Sequence, residues 1–251
     1  MPEPLRPQDV FSRRASFYAT SQTHSDASQL ASLVALAAPG ADWRALDVGT
    51  GTGHTAFAVA PHVSWTIGID LTTAMLAQAQ HLQRERGSAV AWALADAEAL
   101  PFRDGAFDLV ICRRSAHHFR HLGAALDEMA RVLRAGGVMV IDDRTVPEDD
   151  LVDSLMNQLD MWHDHSHVRE YRPSEWASAL AAAGLTVERI EGYVQHRPLA
   201  TFAHGADPED LAAIRARLAI ATAHEQEVLH LVELDGEPAF NNWYVSIRAV
   251  K

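Results

Sequence analysis

The stretch RALDVGTGTGHTAFAVA constrains this chain most: an apolar run carries Asp47, glycines follow at alternate positions (Gly49, Gly51 and Gly53), and a helical pattern begins near His54. A strand that turns through glycines into a helix is a ligand-binding turn. Glycine bends sharply and admits a ligand where a Cβ would clash, and free N–H groups at a helix start favour an anionic group. The dinucleotide fingerprint G-x-G-x-x-G is not met, because counting from Gly49 and Gly51 the third position is His54. A nicotinamide oxidoreductase fails at that residue, and what stands is D-x-G-x-G-x-G.

Around this turn, short apolar runs alternate with helical patterns from Arg44 to Asp143, which predicts βαβ units and a mostly parallel sheet. Strands are expected at 44–48, 65–70, 90–94, 107–111 and 138–142. The clearest helix, 121–134, repeats Leu122, Leu126, Met129 and Leu133 and stops at Gly136 and Gly137. Thr72 is placed to cap the helix after the second strand, with Met75, Ala79 and Leu82 turned inward. Beyond Asp143 the pattern predicts helices at 149–163 and 174–183, a strand at 185–191, a helix capped by Asp207 with Pro208 first, and a last strand at 240–250. The first 40 residues predict one or two helices over the sheet.

Composition narrows the function. With 251 residues, 48% of them hydrophobic, the chain can bury a sizeable core. Its formal charge of −12 repels a phosphate backbone and speaks against a nucleic-acid partner. From Val146 onward there are 18 acidic and 8 basic residues, so the acidic excess sits almost wholly there. The lone Cys112 leaves no intramolecular disulfide and no thiolate zinc site, and suits a reducing compartment. The amino-terminal MPEPLRPQDVFSRR lacks a basic stretch followed by an apolar core, and no run of 18 apolar residues occurs, so a cytoplasmic protein without membrane insertion is expected.

The D-x-G-x-G-x-G turn resembles motif I of the class I methyltransferases that use S-adenosylmethionine, and further features agree in order and spacing. Asp70 ends the second strand in WTIGIDLTTAML, Asp96 and Ala97 end the third in ALADAEALPF, and FDLVICRRSAHHF and RVLRAGGVMVIDD resemble the family's fourth and fifth strand motifs. The resemblance implies an α/β fold: a doubly wound, Rossmann-like sheet of seven strands, mostly parallel with the last antiparallel, plus a helical amino-terminal cap and lid insertions. It implies one domain, with the cap over 1–40, the cofactor-binding core over 41–145 and the acidic part with lid helices and the last two strands over 146–251. It also implies that Asp47, Gly49, Thr50, Gly51 and Gly53 form the cofactor loop. Asp70 would accept from the ribose hydroxyls, Asp96 from the adenine amino group, and the Ala97 N–H would meet a ring nitrogen. Leu71 and Met75 would flank the adenine, and Arg113 opens a loop against the methionine part. On the residues alone Asp70 and Asp96 read equally as caps or turn formers, Leu71 and Met75 as core, and Arg113 as a surface charge.

Methyl transfer is an in-line displacement, so holding the acceptor in alignment supplies most of the rate. A base is needed only for a hydroxyl or an acidic carbon, and histidine suits neutral pH. His117 and His118 follow the fourth strand, where ligands of open α/β sheets bind, as base, acceptor contact or plain loop histidines. MWHDHSHVRE adds His163, Asp164, His165, His167 and Arg169, readable as a substrate lid or a solvated connector. His163 and His167 could form a zinc pair only on a helix continuing through Ser166, with no obvious third ligand, so no metal is expected. Tyr18 and His24 read as the opposite pocket wall or as an ordinary helix with an Asp cap. CRRSAHHF, SHVRE followed by SEW, and that Tyr and His together resemble a bacterial subgroup of small-molecule methyltransferases related to the ubiquinone and menaquinone enzymes. VIDDRTVPEDD departs from the quinone enzymes, so a quinone acceptor stays open; arsenic is excluded because that chemistry uses several cysteines. The expected acceptor is a small organic molecule entering between the amino-terminal helices and the segment after Asp143. A homo-oligomer is left open, as is a non-catalytic protein that keeps the cofactor pocket as a sensor or assembly surface.

Overall fold

The computed structural model describes residues 4–251. Its helices are α1 (Pro7–Thr20), α2 (Gln22–Ser25), α3 (Ala27–Ala37), α4 (His54–Val59), α5 (Thr73–Arg86), α6 (Leu122–Val132), α7 (Asp150–His163), α8 (Pro173–Ala182), α9 (Leu199–Phe202), α10 (Pro208–Ala219) and α11 (Ala223–Leu229). Its strands are β1 (Arg44–Val48), β2 (Trp65–Asp70), β3 (Ala91–Leu94), β4 (Phe107–Arg113), β5 (Leu133–Thr145), β6 (Thr186–Pro198), β7 (Val232–Leu234) and β8 (Glu237–Val250). They form one sheet in the order β3-β2-β1-β4-β5-β8-β6, with β7 paired to β8. The first five strands run parallel and β8 runs antiparallel between β5 and β6.

The doubly wound sheet thus has the seven expected strands and one short addition. β7 and β8 form a hairpin in which Leu234 faces Glu237. The loop residues Asp235 and Gly236 both take positive φ, 52° and 77°, the backbone of the tight turn that an Asp-Gly pair favours. Element ends also move. Leu133 leaves the helical stripe and pairs with Phe107, so α6 stops at Val132, before Gly136. The amino-terminal segment makes three helices instead of one or two.

Alternation along the buried strands sorts two layers, as a period of two requires. Ala45, Leu109, Ile111, Val138 and Val140 face Leu33 and Ala37 of α3 and Val59 of α4. Leu46, Val48, Val110, Met139 and Ile141 face Leu126 and Met129 of α6 and Trp176 and Leu180 of α8. A separate cluster ties Leu155 and Leu159 of α7 to Phe202, Ile214, Leu218 and Phe240, giving the lid its own core. The strand order reverses between β1 and β4, and there the carboxyl ends of the strands open a crevice. Among the described residues no helix is long and apolar enough to cross a membrane.

Candidate functional site

The glycine loop between β1 and α4 holds Gly49, Gly51 and Gly53 at φ of 66°, 54° and 89°. A Cβ on Gly53 would come within 2.5 Å of the Trp92 ring, and one on Gly49 within 2.0 Å of Ser115 Oγ, whereas on Gly51 it would meet nothing within 4 Å. Gly49 and Gly53 therefore let the loop pack, and Gly51 leaves space on the ligand side. Asp47 lies buried beneath the loop and accepts from Thr50 Oγ1 at 2.6 Å; burial lifts its carboxyl to about 7 against that hydrogen bond. Asp70 Oδ2 accepts the Gly51 N–H and Oδ1 the Thr72 N–H, both at 2.8 Å. Burial raises the Asp70 carboxyl and these N–H groups oppose the rise. The Thr72 side chain makes no cap bond, so Asp70 ties the glycine loop to the start of α5.

Two cavities meet over this loop and share Phe11, Gly49, Asp70, Ser115 and His118 as walls. One, of about 280 Å³, is lined by Leu71, Asp96, Ala97 and Phe119. The other, of about 390 Å³, runs from Thr50, Gly51, Met75 and Arg113 past His117 to Arg144, His167 and Phe202. Asp96 is exposed, its Oδ1 accepting the Glu98 N–H at 2.9 Å. Asp47 and Gly53 support the loop from behind and line neither cavity.

The turn after β4 is held by Asp143, a fully buried residue in β5. Its Oδ2 accepts the N–H groups of Ala116 at 2.7 Å and His117 at 3.3 Å, and its Oδ1 lies 2.5 Å from His117 Nδ1. Facing an ionised carboxylate, Nδ1 donates, so that in the neutral form of the ring Nε2 is the acceptor. Burial would raise the Asp143 carboxyl, but the His117 ring and the Arg144 N–H hold it below the ordinary value. His118 lies 4.0 Å from His117 between ring centroids, under the edge of Phe11, and burial lowers it to about 4. His167 Nε2 meets Asn157 Oδ1 at 3.0 Å and burial lowers it to about 3, so both flanking rings are neutral at pH 7. The Val168 N–H donates to the His117 carbonyl at 2.9 Å, joining the lid to the histidine turn.

Tyr18 and His24 line the larger cavity with ring centroids 4.7 Å apart; burial raises the phenol and lowers the imidazole to about 3. Asp26 caps α3 through the Gln29 N–H at 2.9 Å. Arg113 is no surface charge: it is buried, donates to the His24 carbonyl at 3.1 Å and lies 3.7 Å from Asp142. Two expected acceptor residues stand elsewhere. His165 turns outward to Asp210 at 2.9 Å, and Arg169 clamps Asp153 at 3.1 Å and Glu175 at 2.9 Å, neither lining the larger cavity. The reason is that α7 ends at His163 and Asp164 organises a turn through Ser166, which sends His165 out and His167 in. The same break prevents His163 and His167 from sharing a helical face.

Sequence reasoning passed over Asp143, Arg114, Arg144, Asp160, Arg197 and Tyr244. The signal for Asp143 was present: consecutive aspartates in one strand point to opposite faces. Asp142 takes Arg114 at 3.1 Å and Ser246 at 2.7 Å, while Asp143 takes the histidine turn.

The methyltransferase domain family model matches residues 46–141. The chain is 37% identical over 182 residues to the uncharacterized methyltransferase YcgJ of Bacillus subtilis, covering 72% of each protein. It is 41% identical over 111 residues to the demethylmenaquinone methyltransferase of Thermus thermophilus, covering 43% of this chain and 50% of that one. The YcgJ crystal structure superposes with a TM-score of 0.85 at 32% identity, over 89% of this chain and 98% of that one. A putative methyltransferase from Bacillus halodurans gives 0.86 at 30% identity, over 89% and 99%.

Proposed function

Because the chain belongs to the methyltransferase family and is an S-adenosylmethionine-dependent enzyme, we propose that it methylates a small organic acceptor whose proton is taken by His117. The paired cavities fit the methyl donor, since Gly51 leaves its Cβ space open and carboxylates stand at two depths of the groove. Asp70 would take the ribose hydroxyls, Asp96 and Ala97 the adenine edge, Leu71 the ring face, and Gly49, Thr50, Gly51, Met75 and Arg113 the methionine end. When bound, S-adenosylmethionine supplies a methyl group on a positively charged sulfur.

In this reading His117 uses Nε2 to accept the acceptor's proton, and Asp143 fixes the ring by its contact at 2.5 Å and stabilises the imidazolium. That contact, behind the wall that His117 lends to the larger cavity, is the observation that carries the proposal. His118, His167, Tyr18 and His24 form the neutral walls around it, and the whole chain acts as one unit of cap, cofactor core and acidic lid. The match to the demethylmenaquinone enzyme spans 43% of this chain, so its acceptor does not come with it.

The direct test follows the S-adenosylhomocysteine formed from S-adenosylmethionine in the presence of a panel of phenols and, separately, of their methyl ethers, which lack the proton. Release with phenols alone is expected; equal release with the ethers, or none with any hydroxyl compound, would sink the proposal. The donor and its product should also raise the melting temperature by mass action while NAD leaves it unchanged. Replacing Asp70 by Ala should weaken donor binding by roughly 1.5 to 3 kcal/mol, the range for hydrogen bonds to a charged group. Calorimetry finding parental affinity in that variant would remove Asp70 from the ribose role.

A further inference from the structure

Six arginines line the larger cavity, and four of them have a carboxylate. Arg14 lies 3.5 Å from Asp164, Arg144 is 2.8 Å from Asp160, and Arg113 and Arg114 share Asp142 at 3.7 and 3.1 Å. Arg13, also in the lining, is exposed on α1, where solvent screens it. Arg197 differs: half-buried in the same lining, it has no carboxylate partner among the described residues. Its guanidinium donates to the Gln195 side chain and lies 5.5 Å from the centre of the Tyr244 ring, which Arg114 approaches to 4.0 Å. Among the arginines buried or half-buried in this wall, Arg197 is therefore the one that meets no carboxylate among the described residues.

In the reading above the donor's own carboxylate would be held at the glycine loop and Arg113, on the β1 and β4 side of the cavity. β6 lies four strands from β1 in the sheet, and β8, which carries Tyr244, lies three strand spacings, roughly 14 Å, from β1, the strand that leads into the glycine loop. Around Arg197 the walls are aromatic: Phe17, Tyr18, Phe202 and Tyr244, with Phe17 stacked on His204 at 4.7 Å where α1 meets the lid. Resting on the methyl-transfer reading above, we propose that the acceptor carries a carboxylate on an aromatic or alkyl body, and that Arg197 anchors this carboxylate. A planar guanidinium matches a carboxylate fork to fork.

The test uses hydroxybenzoates and hydroxyphenylacetates, each beside its primary amide and beside the corresponding hydroxyphenyl phosphate. Binding to the complex with S-adenosylhomocysteine and product release are both measured. The acids should be preferred over their amides by roughly 10- to 100-fold, the factor expected of a hydrogen-bonded charge. Arg197→Ala should bring that ratio close to one and Arg197→Lys should restore part of it, with S-adenosylhomocysteine affinity unchanged in both. Acids and amides bound alike, no acid bound, phosphates bound best, or an undiminished ratio in Arg197→Ala would each overturn the proposal. A fall in S-adenosylhomocysteine affinity would reassign Arg197 to the cofactor. Turnover of neutral phenols without acid preference would leave the methyl-transfer reading standing and remove only the anion anchor; failure to bind S-adenosylhomocysteine would remove both.

Discussion

Replacing His117 by Ala should lower the turnover of a hydroxyl acceptor by roughly 10²- to 10⁴-fold and leave cofactor affinity nearly unchanged. Among the described residues the imidazole is hydrogen-bonded by Asp143 at Nδ1, and it does not line the smaller cavity around Leu71, Asp96 and Ala97, so its loss removes no wall there. Asp143→Asn gives a sharper test, because an amide in that place can accept or donate and no longer dictates which ring nitrogen carries the proton. Turnover should fall there too, with the acceptor still bound. If His117 only shaped the pocket, the loss would appear in acceptor affinity and not in the single-turnover rate. Both variants matching the parent in rate and in acceptor affinity would end its role as base.

The readable and unreadable parts of this molecule divide along a physical line. β1, β2, β4 and the middle of β5 are covered on both faces, so their apolar runs announce them without ambiguity. β6 lies at the sheet edge with much of its length exposed, so its pattern is faint and its end at Pro198 was placed seven residues short, at Glu191. The glycine loop was legible because the chemistry is local: Asp47, Thr50 and the glycines act on one another within a single turn. The far wall of the larger cavity was not, because it is assembled across the fold. Asp143 meets a histidine 26 residues away, and Arg114 reaches Tyr193 across 79 residues. Arg169 illustrates the opposite error, a charge near suggestive histidines that the end of α7 commits to Asp153 and Glu175.

Arg144→Met should destabilise the protein by about 3 to 5 kcal/mol, the cost of breaking a buried ion pair from one side. The Arg144 side chain is 12% exposed and donates to Asp160, 2% exposed, and to Glu170, 1% exposed. Burial pushes the Glu170 carboxyl well above its ordinary value, whereas Arg144 holds Asp160 below it in spite of burial, so one cation balances one anion. Without the guanidinium, Asp160 keeps His163, at 3.4 Å, and the neighbouring Glu170 carboxyl, and its buried charge loses the cation that balances it. At roughly 2 to 4 °C per kcal/mol for a chain of this size, the melting temperature should fall by about 6 to 20 °C. The sign of the pH dependence is fixed. A carboxyl whose folded pKa is depressed stabilises above its unfolded value and loses that contribution as pH falls, so the gap between parent and variant should narrow below pH ~4. Adding Asp160→Asn and Glu170→Gln to Arg144→Met should recover much of the loss, since no unpaired charge then remains. A melting temperature equal to the parent's at both pH 7 and pH 4 would mean that water already reaches Asp160, and that the lid is not held by this triad.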